Sequence, residues 1–383
     1  MTFKGQRVGI LAESGGGTRF LYDENCRVAI ACALPLEKRD YYWREGLHPF
    51  FQHLGAEGWL RGVLARAGGT ADQDDFGLLL NYGADCIGAV GIEQSDGTTP
   101  RSVSGIDPIE EVATGGRRSI SGVHKKLLAF KDGNRFRPAA SPDDPATHIA
   151  KFNRDDLPTL VQNEDLSLRL AREVLGGDAV TKAQIGSLEG IETIALLVER
   201  FDRNGLERLR LEDFAQILVK PRGQDFGGKY QSSYEEAADA VLQHSARARI
   251  DLDRFFRLVV FNFAIGNADA HLKNFSLLEH PEGLRLSPAY DLLNTVVYNQ
   301  FDSQTALEIG GKKRPLDTLN RSTLENYAYA IGLPTAAATR ALDDLAKRFA
   351  KTKVLNVPQQ TQPHDFRVTY RTVVENQATR IFA

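Results

Sequence analysis

Cysteine is scarce: Cys26, Cys32 and Cys86 are the only three in 383 residues. An odd number without CxxC spacing argues against a disulfide framework, and apolar neighbours such as Ala29-Ile30-Ala31-Cys32 predict buried thiols in a reducing compartment. No run of about 18 apolar residues occurs, and Met1-Thr2-Phe3-Lys4-Gly5-Gln6-Arg7 is not followed by an apolar leader core. The expectation is a cytoplasmic protein with no membrane anchor. An excess of positive charge is also missing, with 47 Lys plus Arg against 50 Asp plus Glu and a pI near 6.3. A chain that grips nucleic acid through its own basic surface has a pI above about 9, so DNA would be reached only through a partner. The 34 glycines and 15 prolines make up about one residue in eight, well below the roughly 25–30% of low-complexity chains. There is no internal repeat, no Walker A box and no G-x-G-x-x-G loop.

What remains is an ordinary globular composition, 42% hydrophobic and 25% charged, long enough for two or three folded units. The first hundred residues read as strands over 7–11 and 28–32, a helix over 49–67, a second over 74–82 and a short strand over 83–88. Residues 99–118 read as linker and loop. Strands follow at 127–130 and 147–152 around a loop at 131–146, then a helix over 160–175 and the apolar strand 193–201. Beyond residue 211 the chain is mainly helical, with candidates at 233–250, 252–266, 322–330 and 335–351. The fold class is α+β, a mixed β-rich lobe followed by a helical one. The division expected is 1–98, 99–203 and 204–383.

The most informative stretch is Asn267-Ala268-Asp269-Ala270-His271-Leu272-Lys273-Asn274, at the end of an otherwise apolar helix. Asp269 and Asn274 have the D-x-x-x-x-N spacing of a protein-kinase catalytic loop, in which Asp takes the acceptor hydroxyl proton and Asn holds Mg²⁺. Seventeen residues on, Pro288-Ala289-Tyr290-Asp291-Leu292-Leu293 places one acid in apolar surroundings, a second hard oxygen ligand for magnesium on ATP phosphates. Upstream, Lys151 sits in the apolar strand His148-Ile149-Ala150-Lys151-Phe152, as a lysine for the α- and β-phosphates would. In the next helix Leu160, Glu164, Leu168, Ala171 and Leu175 form one stripe, so Glu164 is an acid that needs a cation, with Lys151 its natural partner. The loop Ser119-Ile120-Ser121-Gly122-Val123-His124-Lys125-Lys126 offers small residues and cations to phosphates, and Val198-Glu199-Arg200-Phe201 has the place of a hinge beside adenine.

In this order and spacing the segments resemble the HipA-like serine/threonine kinases. The resemblance extends to His48-Pro49-Phe50-Phe51-Gln52-His53-Leu54 and Asp74-Asp75-Phe76-Gly77-Leu78-Leu79-Leu80 near the N-terminus, and to Glu308-Ile309-Gly310-Gly311-Lys312. It implies a bilobal protein-kinase-like fold: a β-rich N-lobe carrying an extra N-terminal subdomain, and a helical C-lobe. It also implies a toxin of a bacterial toxin–antitoxin system that phosphorylates a protein, aminoacyl-tRNA synthetases in the known cases, and that is restrained by a helix-turn-helix antitoxin on operator DNA. Asp269 would be the catalytic base, Asn274 and Asp291 the magnesium ligands, and Lys151 the phosphate lysine. Ser121, Gly122, Val123, His124 and Lys126 would line the phosphate loop, Glu199 and Phe201 would meet adenine, and Lys273 would add charge near the γ-phosphate. The loop serine that family members autophosphorylate corresponds to Ser119, with Ser121 a second candidate, and His124 and Lys125 stand where Gln and an acid are frequent. Two other functions fit less of the pattern: a small-molecule phosphotransferase, and a non-catalytic partner of a DNA-binding antitoxin.

Overall fold

The computed structural model describes residues 1–95, 108–116, 118–120, 124–355 and 363–383. Two compact units emerge, one of Met1–Phe152 with Gly186–Gly228, the other of Asn153–Ile185 with Lys229–Ala383.

The first unit begins with an antiparallel sheet of Gly9–Ser14, Gly17–Tyr22 and Asp40–Trp43. Gly15 and Gly16, at φ +58° and +84°, make the two-residue turn whose twist suits a tight hairpin. Phe20, Tyr22, Leu34, Phe50, Phe51, Cys26 and Cys86 share one core, and burial pushes the Cys86 thiol up to about 12. The expected strand over 28–32 does not form. Side chains bond its backbone instead: the Ile30 N–H donates to the Tyr22 hydroxyl (3.0 Å) and the Cys32 N–H to the Glu212 carboxylate (2.8 Å), so Ile30 and Ala31 are buried without a ladder while Val28 is exposed. The helix expected over 49–67 is two, Pro49–Gln52 and Gly58–Gly68, while Asp74 caps Asp75–Tyr82 through the Gly77 N–H. The short strand falls at Val90–Gly91, paired with Thr2–Phe3, rather than over 83–88.

Further along, five strands close a barrel in the order Ala183–Leu188, Ile191–Glu199, His148–Phe152, Lys126–Asp132, Arg135–Pro138. Arg135–Pro138 lies within the expected loop 131–146, because Gly133 at φ +59° allows a tight return. A helix, Pro108–Gly115, occupies part of the expected linker, with Glu110 and Glu111 in its first turn where the helix dipole favours acids.

The second unit contains the helices Leu160–Val174, Tyr234–His244, Ala248–Ala264, Arg321–Ala330, Thr335–Lys351 and His364–Phe382 and the hairpin Ser276–His280 with Gly283–Leu286. The chain between Tyr234–His244 and Ala248–Ala264 breaks the single helix expected over 233–250: the Ser245 hydroxyl turns to accept from the Arg247 N–H and to donate to Asp251. Aromatic rings fill the centre, with Phe255 edge-on to Phe275, Phe256 stacked on Tyr327 and Phe261 on Phe349. The last helix escapes the sequence reading because its apolar residues are few and scattered, yet Tyr370, Val374 and Ile381 are buried. Among the described residues no helix is long and apolar enough to cross a membrane.

Asp251, fully buried, ties the hairpin to the aromatic helix. Burial alone would raise its pKa, but bonds from Arg285, Ser245, the Leu286 N–H and Arg254 outweigh that and hold it at about 2. A carboxylate lowered from the ordinary Asp range stabilises the fold fully above roughly pH 4, and the effect fades as pH falls towards 2. It amounts to about 2–3 kcal/mol. Asp251→Asn should therefore lower stability at pH 7 by about 3–5 kcal/mol and flatten the acid limb of stability against pH. Urea unfolding between pH 2 and 7 measures both.

Candidate active site

The helix Ala248–Ala264 delivers its C-terminal end to the second unit's polar centre. Gly266 follows at φ +76°, and a Cβ there would lie 2.9 Å from Val373 Cγ1 and 3.0 Å from Asn294 Oδ1, so glycine is required. The next turn is built by side chains. Asn267 Nδ2 donates to Asn262 Oδ1 (2.7 Å), and Asn267 Oδ1 accepts from the Asp269 N–H (3.0 Å). The Ala268 N–H donates to Thr295 Oγ1 (2.8 Å). Asp269 is held half-buried at the end of this lattice, and one of its carboxylate oxygens accepts from the Tyr230 hydroxyl at 2.6 Å. Burial raises the pKa of nearby Tyr234, whose hydroxyl donates to the Ala270 carbonyl.

Asn274 ends a short turn, Leu272–Asn274, and the hairpin then returns the chain. Tyr290 closes the return by donating to the Lys273 carbonyl at 2.7 Å. Asp291 adopts φ +55°, a left-handed backbone that Asp tolerates better than most residues and that marks functional sites when it persists. Asn274 Nδ2 donates to the Asp291 carbonyl (3.3 Å) and stands 3.5 Å from the Asp291 carboxylate. Asn274 Oδ1 is buried and has no hydrogen-bond partner among the described residues. An orphaned buried acceptor is costly. One amide oxygen beside one carboxylate is a donor set of the kind that Mg²⁺ takes when it keeps its remaining positions for phosphate and water, so these two residues fit such an ion.

Glu164 lies on the helix Leu160–Val174, only 2% exposed. Its neighbour Asn163 makes a two-bond clamp on the loop after Asp291: Nδ2 donates to the Asn294 carbonyl (2.9 Å) and Oδ1 accepts from the Asn294 N–H (2.8 Å). Both residues are fully buried. Ser167 extends the network to the Tyr370 hydroxyl at 2.9 Å, on the last helix.

In the first unit, Lys151 pairs across the barrel with Lys126 on one side and Leu196 on the other. Directly opposed residues of antiparallel strands start from the same face. Glu199 is paired with His148, whose pKa burial lowers, with Glu199 pulling it back up. Beyond the strand the side chains alternate. Arg200 and Asp202 are buried and bonded to each other (2.8 Å), and Arg203 bridges Asp202 (2.7 Å) and Asp85 (2.6 Å). Burial opposes this, but Arg200, Arg203 and the Gly88 N–H hold Asp202 at about 2. Phe201, between them, is half-buried. Ser119 is buried, its hydroxyl donating to the Leu54 carbonyl at 3.1 Å. His124 is half-buried, and Ser121, Gly122 and Val123 lie outside the described residues.

The second unit thus brings Asn274 to Asp291, Tyr230 to Asp269 and Tyr290 to the Lys273 carbonyl, and the first brings Lys151 opposite Lys126. Three features carry no sequence signal, because each joins residues far apart in the chain: Tyr230 on Asp269, the Asn163 clamp on Asn294, and the opposed lysines.

Two family models match the chain, the HipA-like C-terminal domain over residues 118–353 and the HipA N-terminal domain over residues 1–93. Y4mE of Sinorhizobium fredii, a kinase by name, is 29% identical over 87% of this chain and 83% of its own length. The serine/threonine-protein kinase toxin HipA of Shewanella oneidensis is 28% identical over 73% of this chain and 70% of its own. The fold matches a solved complex of HipA, HipB and operator DNA from the toxin–antitoxin system of Shewanella oneidensis MR-1, with a TM-score of 0.76 over 99% of this chain and 96% of that one at 22% identity.

Asn163→Ala leaves the N–H and carbonyl of Asn294 buried without their partners. It should lower stability by roughly 2–5 kcal/mol, at about 1–3 per orphaned group, read as the shift in urea midpoint against wild type.

Proposed function

The chain belongs to the HipA-like kinase family, and we propose that it is an ATP- and Mg²⁺-dependent serine/threonine protein kinase acting as the toxin of a toxin–antitoxin module. The observation that carries the reading is the Asn274–Asp291 pair: Asn274 has a buried amide oxygen with no hydrogen-bond partner among the described residues, and its amide nitrogen lies 3.5 Å from a carboxylate on a left-handed backbone. Bound there, magnesium would neutralise the triphosphate.

Asp269 orients the acceptor hydroxyl and receives its proton, and positioning of this kind, with charge stabilisation, is what phosphoryl transfer requires. Lys151 and Lys126, opposed across the barrel, supply positive charge for the α- and β-phosphates. Lys273, its carbonyl pinned by Tyr290, adds charge towards the γ-phosphate. Glu199 and Phe201 meet the adenine. The protein substrate is a component of translation such as an aminoacyl-tRNA synthetase. A helix-turn-helix antitoxin restrains the enzyme, and DNA is reached through that antitoxin alone.

Phosphorylation of the loop at Ser119 or Ser121 inactivates the enzyme in this reading, because it adds about −1.5 to −2 charges beside the phosphate site. At Ser119 it also forfeits the hydrogen bond to the Leu54 carbonyl.

Incubated with Mg·ATP, the wild type should gain phosphate on Ser119 or Ser121 by intact-mass spectrometry. Asp269→Asn should gain none, while binding ATP within about threefold of wild type, since the base does not hold the ground-state nucleotide. ATP binding without phosphate on either protein would favour the small-molecule phosphotransferase. Absence of ATP binding would favour the non-catalytic partner of an antitoxin.

A further inference from the structure

Asp269 receives a second residue that its own loop does not supply. Tyr230 lies 39 positions earlier in the chain, and its hydroxyl donates to Asp269 Oδ1 at 2.6 Å. That distance falls in the roughly 2.5–2.7 Å range of a charge-assisted O–H···O⁻ bond. The ring is fixed on several sides. It stands edge-on to His271 with centroids 4.9 Å apart, and the ammonium groups of Lys229 and Lys313 each lie 5.5 Å from its centroid. Lys313 is carried on a turn that Gly310 and Gly311 enter at φ +61° and +76°, and the Gly310 N–H is anchored on Glu235 at 2.9 Å. A phenol so restrained has little freedom to leave the carboxylate.

We propose that Tyr230 is a positioning residue for the phosphoryl-transfer step: its hydroxyl fixes the plane of the Asp269 carboxylate that accepts the substrate proton. The inference rests on Asp269 being the base. A carboxylate that rotates freely spends part of its time misaligned with the acceptor hydroxyl, and a bond from a fixed phenol holds it in one orientation. Tyr230 acts through Asp269, so its loss should slow the transfer and leave nucleotide capture alone.

The test compares wild type, Tyr230→Phe and Asp269→Asn as full chains, with Mg·ATP and casein as a general serine/threonine acceptor. Phosphate incorporation is followed on both the chain and casein. The maximal rate of Tyr230→Phe should fall roughly 10–100-fold, the range set by losing one hydrogen bond to a charged group. The ATP concentration giving half-maximal rate should stay within about twofold, and so should the unfolding midpoint in urea. A Tyr230→Phe rate equal to or above wild type, with Asp269→Asn inactive, would overturn the inference and leave the kinase reading standing. So would phosphate mapped to Tyr230 itself, since the phenol would then be an acceptor. Full activity in Asp269→Asn, or no transfer by the wild type, would remove the base assignment and the inference with it.

Discussion

The second unit is organised around buried amides that do the work of backbone. Asn163 clamps Asn294 through one donor and one acceptor, Asn267 is bound to Asn262, and Thr295 accepts from the Ala268 N–H while donating to the Gly266 carbonyl. The helix Leu160–Val174 and the irregular segments around residues 267 and 294 are thereby joined, and side chains bond backbone groups of the two irregular segments that neither helix nor strand satisfies. Bonded side-chain networks of this kind rigidify a core. Asp269 is tied to this one through its N–H on Asn267, and Asp291 lies three residues before the clamped Asn294. Gly266 shows how tight the fit is, since a methyl group there would strike both Val373 and Asn294.

The first unit meets a different constraint. Its barrel strands are rich in buried apolar residues, Leu127, Leu128, Ala129, Ala150, Phe152, Ala195 and Leu197 among them, and their register sets Lys126 against Lys151. The ion-pair cluster of Arg200, Asp202, Arg203 and Asp85 anchors the residues that follow the strand Ile191–Glu199. It takes the positions that alternate with Glu199 and Phe201, and those two are kept out of the cluster.

Legibility in the sequence followed the range of the physics. Strands at 127–130 and 147–152 and helices at 74–82, 160–175 and 335–351 form within a few residues of their expected places, because periodicity and capping act locally. The helix expected over 49–67 is divided by the break around Gly55, and the strand expected over 28–32 is replaced by side-chain bonds from Tyr22 and Glu212. Neither competitor is visible in its own segment. Arg135–Pro138 was hidden by shortness, and the last helix by the thinness of its apolar face.

The sequence by itself determined which chemistry-bearing residues exist and in what order: Lys151, Glu164, Asp269, Asn274 and Asp291, each in a local setting that spacing and hydropathy make recognisable, together with a β-rich part preceding a helical one. Only the tertiary structure decided that Asn274 and Asp291 meet, that Lys126 faces Lys151, and that the Tyr230 hydroxyl bonds the Asp269 carboxylate. Those pairings depend on strand register and on buried hydrogen bonds between residues 17 to 131 positions apart. Such bonds form only after the core has closed around them, and their geometry leaves no periodic trace in the chain.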